Sequence, residues 1–418
     1  MGFQQGLSGL NASSKSLDVI GNNIANANTV GAKSSRAEFA DVYANAIGGS
    51  ANNVGIGVDV GAVAQQFTQG TITATDNPLD IAINGNGFFE VSQNGAVSYT
   101  RNGQFKLDRD GFIVNDQNQQ LLGYPADASG TVIPGTAVPL QMPTGGITPA
   151  VTTTIGMEMN LDSRLGVTLP AAGAPIDFAD PSTYNNATSQ TVYDSKGQSV
   201  ALTYYFQKAS TDTWNVYVAV NGAPIATSGG NPAASTTITF PASGGAPTAP
   251  PGTVSIDIPS VTNAAGASTV PINGIALDVS KATEFGSQFG VTDLSQDGYA
   301  AGQLIGVQFE KNGIVTARYS NGQTKPAGQI EMATFRNPQG LQPLGGNAWA
   351  KSFASGDPTV GVPGSGNIGV LQAGAVEESN VDLTAELVDM ITAQRVYQAN
   401  AQTIKTEDQI LQTIVNLR

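Results

Sequence analysis

The chain contains neither cysteine nor histidine. Without cysteine there is no disulfide, no thiolate nucleophile, no iron–sulfur cluster and no cysteine zinc site. Without histidine there is no Ser-His-Asp triad and no imidazole base or metal ligand. Chemistry would be left to carboxylates, lysine, tyrosine or a cofactor, and no catalytic residue, metal site or cofactor is expected. Charge is also scarce, with 12% of residues charged and a net charge of −14. Phosphate contacts need clustered lysine and arginine, so a nucleic-acid partner is not expected. No apolar run approaches the roughly 18 residues of a spanning helix, so no membrane insertion is expected. The segment Met1-Gly-Phe-Gln-Gln-Gly-Leu7 has no basic stretch followed by an apolar one, so no cleaved secretory signal is expected. Only 7% of the 418 residues are aromatic. That points to several small cores, in roughly two to four domains.

Glycine (50) and proline (22) are plentiful but unevenly placed. Residues 375–418 contain neither, and residues 1–48 contain no proline. The ends therefore read as helices around a β-rich middle. Near the C-terminus, Leu383, Leu387, Met390, Gln394, Tyr397, Ala401, Ile404, Asp408, Leu411 and Val415 alternate at spacings of four and three. This period predicts a coiled-coil-like helix from Asp382 to Leu417, capped by Asp382 or Asn380. At the N-terminus, Phe3, Leu7, Leu10, Ser14, Leu17, Gly21, Ile24 and Asn28 repeat the spacing. Ser14 and Gly21 would allow close helix approach, and Gly31 is the expected stop.

In the middle the period falls to two. Leu79-Asp-Ile-Ala-Ile83, Gly87-Phe-Phe-Glu-Val91 and Phe105-Lys-Leu-Asp108 read as strands. Asn94-Gly95, Asn102-Gly103 and Asp110-Gly111 read as hairpin turns between them. The texture returns at Ile305–Phe309 and Ile314–Tyr319, around Asn312-Gly313 and before Asn321-Gly322. Between these segments lie the strands Leu202–Phe206 and Trp214–Val220 and a Gly/Ser/Thr/Ala/Pro-rich stretch from Gly222 to Pro271. That stretch predicts long loops and short exposed strands. The expected fold is multidomain α+β, with the terminal helices paired as a coiled-coil-like core domain. Two mainly antiparallel β domains follow, one inserted in the other. The expected divisions are a helical core (1–30 with 376–418) and a connecting segment (31–70 with 360–375). Beyond them come an inner β domain (71–148 with 291–359) and an inserted outer β domain (149–290).

Two glycine motifs carry no chemistry. Gly364-Ser-Gly366-Asn-Ile-Gly369 matches the dinucleotide fingerprint by letter, but prolines rather than a strand precede it. Gly31-Ala-Lys33-Ser34 lacks the first glycine of a phosphate loop. The acidic groups Asp108, Asp110, Asp116 and Asp293, Asp297 read as turn residues, without calcium-loop spacing. The helical stripes are more informative. Leu17 and Ile20, or Leu387, Val388 and Ile391, fall on more than one face, which a single two-helix seam cannot cover. Further copies of the chain would cover them, giving a ring or an open helical polymer.

The stretch Leu17-Asp-Val-Ile-Gly-Asn-Asn-Ile-Ala-Asn26, with Thr29, Gly31 and Lys33, resembles the signature of the bacterial flagellar rod and hook axial protein family. Its other end is similar at Glu378-Ser-Asn-Val-Asp-Leu383, Glu386-Leu-Val, Met390-Ile and Ala393-Gln-Arg-Val-Tyr397. Within the family, the length, Leu79 to Pro125 and the ending Ile404-Lys-Thr-Glu-Asp-Gln-Ile410 are most similar to hook proteins. Ala32 stands where the family often has an aromatic residue. The resemblance implies a subunit of a short curved tube that acts as a universal joint, carries torque to the filament and forms part of the export channel.

It places self-assembly on Phe3, Leu7, Leu10, Leu17, Ile20 and Ile24 of the first helix. On the last helix it places it on Leu383, Leu387, Met390, Ile391, Tyr397, Ala401, Ile404, Leu411 and Val415. The motif residues are Asn22, Asn23, Asn26, Thr29, Gly31 and Lys33. Implied partners are many further copies, the distal rod, hook cap, hook-length control and hook–filament junction proteins, and the flagellar export apparatus. The implied location is the extracellular part of the flagellum. Competing readings are a distal rod or junction protein, or a secreted β-rich adhesin or carbohydrate binder marked by grouped aromatics. An enzyme would be marked by two buried, converging carboxylates, and the sequence shows no such pair.

Overall fold

The computed structural model describes residues 2–42, 55, 57–168, 176–263 and 266–416. Helix α1 covers Gly2–Ala25 and helix α2 covers Leu383–Asn416. Asp382 caps α2, its Oδ1 accepting from the backbone N–H of Thr384 (2.8 Å) and Ala385 (3.2 Å). With 34 residues, α2 is about 51 Å long. Leu417, its expected last residue, lies outside the described residues. Gly31 closes the turn after α1 at a φ of 72°, a left-handed conformation that favours glycine.

On α1 the contact with α2 includes residues outside the expected row, while Ile404 of the expected α2 row takes part in it. A Cβ added to Gly6 would stand 3.0 Å from Ile404 Cγ1, and one added to Gly9 would stand 2.8 Å from the Asn400 amide. Nothing lies within 4 Å of the corresponding position at Gly21, and Ser14 is exposed. The buried residues of α1 are Gly6, Ala12, Ser13, Ile20 and Asn23, with Gly9 half-buried among them. Small residues let the backbones approach, and the Ser13 hydroxyl is satisfied by the carbonyl of Gly9 at 2.8 Å. Hydrophobicity alone selects a neighbouring row and misses these small residues.

The chain forms two compact units. The first comprises Met1–Thr144, Gly306–Arg318 and Thr324–Arg418, and the second Gly145–Ile305 and Tyr319–Gln323. In the first, Ser35–Val42 pairs with Gly57–Gln65 as a two-stranded antiparallel ribbon. Residues 43–54 and 56 of the expected connecting segment lie outside the described residues. The main sheet of this unit sets Thr324–Ile330, Gln120–Pro125, Phe88–Gln93, Ala96–Thr100, Ala348–Ala350 and Gln342–Gly345 side by side. Ile81, Ile83, Phe89, Val91, Ile113, Leu121 and Met332 form one core. Phe88, Tyr99, Phe335 and Trp349 form another, with their rings edge to face. Asn94 and Gly95 both adopt positive φ, as a tight hairpin requires.

Asn102-Gly103 does not close a hairpin. Ala96–Thr100 pairs with Phe88–Gln93 and Ala348–Ala350, whereas Lys106–Leu107 pairs with Ile113–Val114. Gly103 serves close approach, because a side chain there would overlap the carbonyl of Ile81. Asp108 does behave as a turn residue, its Oδ1 accepting from Asp110 N and Phe112 N.

The second unit holds two five-stranded sheets. One orders Val254–Ile258, Ile272–Asp278, Thr154–Asp162 and Thr283–Phe285, with Gly290–Gln296 on Thr154–Asp162. The other orders Asn186–Tyr193, Ser199–Ser210, Thr213–Val220 and Ala223–Pro224, with Thr236–Thr239 on Thr213–Val220. Pairing is mostly antiparallel, but Thr154–Asp162 is parallel to two neighbours. One core joins Trp214, Tyr204, Phe206, Ile155, Met159 and Leu277. The stretch from Gly222 to Pro271 contributes more than exposed strands, since Ile238, Phe240, Ile256 and Ile258 are buried in that core. Their period-two spacing is masked by the surrounding glycine and proline. Residues 264–265 of the stretch lie outside the described residues.

Candidate assembly surface and the latch between the chain ends

The expected assembly residues divide by exposure. Phe3 and Leu7 on α1, and Leu383, Leu387, Ile391, Tyr397, Leu411 and Val415 on α2, are 37–73% exposed. Leu10, Leu17, Ile24, Met390, Ala401 and Ile404 are half-buried, and Ile20 is buried. Val388, Val396 and Ile410 are exposed as well, so α2 carries apolar side chains around more than one face. No helix among the described residues is long and apolar enough to cross a membrane. A groove of about 760 Å³ runs between α1, α2 and the two-stranded ribbon. Ala12, Ile20, Phe39, Val58, Ala393 and Val396 give it an apolar lining. Exposed Val63 and half-exposed Phe39 on the ribbon escape sequence reasoning, because a short alternating strand does not show which face stays open.

The motif residues serve a different purpose. Asn23 is buried at the end of α1, and its Nδ2 donates to Ser35 O and to Glu386 Oε1, each at 2.8 Å. Its Oδ1 accepts from Ser35 N at 2.8 Å. One amide thus ties α1, the ribbon and α2 together. Asn26 Nδ2 donates to Asn22 O at 2.9 Å, Asn22 itself is exposed, and Thr29 N donates to Asn26 O at 3.0 Å. Gly31 N donates to Glu377 O at 2.8 Å. A Cβ on Gly31 would stand 2.6 Å from Asn102 N. Ala32 lines a small hollow with Asn22, Asn26 and Trp349.

Lys33 lies at the centre of a buried ionic cluster. Its Nζ donates to Glu377 Oε1 (2.6 Å) and to Thr68 O (2.8 Å). Arg101 Nη1 donates to Glu377 Oε2 (3.0 Å), Nη2 to Gly85 O (2.9 Å), and the guanidinium lies over the Phe88 ring. Gly70 N completes the shell around Glu377 at 2.9 Å. Two cations therefore share one carboxylate in a desolvated site. Burial pulls both Lys33 and Arg101 below their usual ranges, and Glu377 offsets part of that effect. Asn380, one of the two candidate caps of α2, bridges instead. Its Oδ1 accepts from Ser34 N at 2.7 Å, and its Nδ2 donates to Gln66 O and Thr68 Oγ1, each at 2.8 Å. Glu377 and Arg101 escape sequence reasoning because they meet only across 276 residues of chain, and the bridging role of Asn380 is hidden in the same way.

The structure does bring two carboxylates together. Glu90, in the strand Phe88–Gln93, and Glu331, between the strands Thr324–Ile330 and Met332–Thr334, are each 5% exposed. Tyr124 Oη donates to Glu331 Oε1 at 2.6 Å, while Glu90 Oε1 has no partner. Burial first, and the Glu331 carboxyl second, push Glu90 up to about 7. Both groups are closed to a substrate at that exposure. On the second unit Phe178 and Tyr205 stack at 4.4 Å, and Tyr184 meets Tyr205 edge-on at 4.8 Å. These rings are half-buried against each other. Among the described residues no group of three or more acidic side chains is placed to hold a metal ion.

Family profiles match four stretches of the chain. They are the flagella basal body rod protein (residues 3–33), the FlgE/F/G D1 domain (82–158), the FlaE D2 domain (160–299) and the FlgEFG C-terminal region (372–417). Flagellar hook protein FlgE of Salmonella typhimurium is 44% identical over 421 residues, covering 100% of both chains. The chain belongs to the flagellar hook protein family. FlgE of Escherichia coli is 42% identical over 427 residues, again covering 100% of each. FlgE of Borreliella burgdorferi is 31% identical over 446 residues, covering 99% of this chain and 98% of its own. The crystal structure of Helicobacter pylori hook protein FlgE2 shares the fold, with a TM-score of 0.52 at 15% identity. It covers 72% of this chain and 99% of its own.

Proposed function

We propose that the chain is the structural subunit of a flagellar hook. Copies assemble through the terminal helices into a short curved tube that transmits torque between rod and filament and encloses part of the export channel. The observation that carries this reading is the exposed apolar surface of α2, where Leu387, Val388, Ile391, Leu411 and Val415 are 50–73% exposed. Full burial of one such side chain contributes about 1.5–3 kcal/mol. About half of that remains to be gained on assembly, and it is repeated along the helix. The α1–α2 pair acts as the helical core, in coiled-coil fashion. The β-bearing remainder of the first unit lies around it, and the second unit, Gly145–Ile305 with Tyr319–Gln323 rather than the expected 149–290, forms the inserted domain that is outer in the tube.

The outer domain is weakly charged and rich in glycine, serine and threonine. Its contacts slide as the tube turns, because no single ion pair fixes a register. The subunit performs no catalysis and works outside the cell. By family membership its partners are further copies, and the rod, cap, length-control and junction proteins and export apparatus at either end of its life. Electron microscopy of the purified full chain under polymerising conditions tests the reading. Curved tubes support it, straight tubes favour a rod protein, and monodisperse monomers contradict it.

A further inference from the structure

Phe353 is 105% exposed, more open than any other large apolar residue among the described residues. A phenylalanine so placed carries a desolvation gain that the isolated subunit never collects. Its loop is nevertheless firmly built. Ser355 is 1% exposed, its Oγ donates to Ser352 O (2.9 Å) and accepts from Ser352 N (2.9 Å). Ser352 Oγ donates to Gly340 O at 2.5 Å, and Asn337 Nδ2 donates to Ala354 O at 3.0 Å. A Cβ on Gly340 would meet Ala354 C at 2.5 Å, so the loop lies flat on the short turn Pro338–Gly340. Lys351 Nζ and Asp357 Oδ1, 3.0 Å apart, close its base. The ring is thus held out on a pedestal, at little entropic cost to a partner that covers it.

The same turn forms one wall of a cleft of about 470 Å³, in which the amides of Gln69, Asn86, Asn337 and Gln339 stand beside Phe67 and Pro338. Each of these amides offers N–H donors and one carbonyl acceptor, and the lining contains no carboxylate. Behind it, the Lys33–Arg101–Glu377 cluster carries one more positive than negative charge. Arg101 is 4% exposed, so it backs the cleft as buried charge and the exposed amides make the contacts. An apolar anchor beside a donor-rich, cation-backed cleft has the composition of a protein interface: a buried aromatic with a polar surround.

We infer that this surface, with Phe353 as its anchor, docks a carboxylate-bearing segment of a second copy of the chain. The inference rests on the assembly reading above. It adds to that reading a contact remote from the helix faces, made by the first β-bearing unit. The second copy is favoured by charge: the chain has 32 acidic residues against 18 basic ones and a net charge of −14. Each neighbour in a polymer therefore presents carboxylates to a cleft that lacks them. Two different surfaces of one chain meeting in this way make a heterologous contact, which is the kind that propagates a tube.

The test uses the full-length chain in two variants. Phe353→Ser should leave the thermal unfolding midpoint unchanged, since the ring touches nothing in the subunit. It should raise the critical concentration for polymerisation about tenfold or more, as loss of an aromatic anchor does. With the photoreactive residue p-benzoylphenylalanine at position 353, irradiated polymers should yield covalent dimers cross-linked from 353 to another copy. Normal polymerisation of Phe353→Ser, without cross-linked dimers, would overturn the inference and leave the assembly reading standing. Cross-links only to a different flagellar protein would overturn the choice of partner. Failure of the unmodified chain to polymerise would overturn both.

Discussion

Lys33 Nζ and Glu377 Oε1 lie 2.6 Å apart with both side chains wholly buried, although 344 residues separate them in sequence. Lys33 follows α1 and Glu377 precedes α2, so this pair fixes where the two helices leave the β-bearing part of the first unit. The cluster is unbalanced, because Arg101 shares the same carboxylate.

That imbalance predicts an asymmetry between mutants. Glu377→Gln leaves two buried cations facing each other without a counter-charge and should cost about 3–5 kcal/mol. Lys33→Met leaves Arg101 paired with Glu377 and should cost clearly less. Urea denaturation of the two variants measures the difference. Equal losses, or a larger loss for Lys33→Met, would contradict the shared-carboxylate description.

The Glu90–Glu331 pair predicts an unusual pH dependence. The unfolded chain releases the Glu90 proton near its ordinary 4.5, and the folded chain releases it only near 7. Between those values only the folded state holds the proton. Its stabilisation is therefore complete below about 4.5 and is lost as pH rises through about 7, the reverse of an ion-paired carboxylate. A separation of about 2.5 pH units corresponds to about 3 kcal/mol at most. Tyr99 and Tyr124, both pushed up to about 12, stay protonated through this window. Urea midpoints at pH 5 and pH 8 should differ in the native sequence, with the higher at pH 5, and should converge in Glu90→Gln.

Gly31 predicts a backbone effect. Its φ of 72° disfavours any side chain, and a Cβ would press on Asn102 N at 2.6 Å and Arg101 C at 2.8 Å. Both neighbours are backbone atoms and cannot rotate aside. Gly31→Ala should destabilise the first unit by about 1–3 kcal/mol. The second unit's transition in calorimetry should stay where it was.

The sequence made some of this visible and hid the rest for identifiable reasons. Both helices follow from long periodic stripes and from the lack of proline and glycine after Gly374. The Asn94-Gly95 hairpin follows from turn chemistry, because only such residues tolerate two successive positive φ angles. Asn102-Gly103 misleads because the same dipeptide also serves close backbone approach, here against Ile81. The row Gly6, Gly9 and Ser13 joins the helices by smallness, which a hydrophobic pattern passes over. Lys33, Gly31 and Asn23 stand out as a motif, but their roles depend on Glu377, Ser35 and Glu386, which only the fold brings near. The Glu90–Glu331 pair is hidden for the same reason, as two acidic residues 241 positions apart acquire meaning only through strand pairing.

The central claim is that exposed apolar faces of the terminal helices join copies into a tube. The double variant Leu387→Asp, Val388→Asp tests it most directly, because these side chains are 50% and 59% exposed in the subunit. Replacing them should cost the subunit about 1.5–3 kcal/mol, the half of their burial that it already holds. Electron microscopy and sedimentation should then show a folded monomer that forms no tubes under conditions where the native chain polymerises. Tubes of native form from the double variant would contradict the claim.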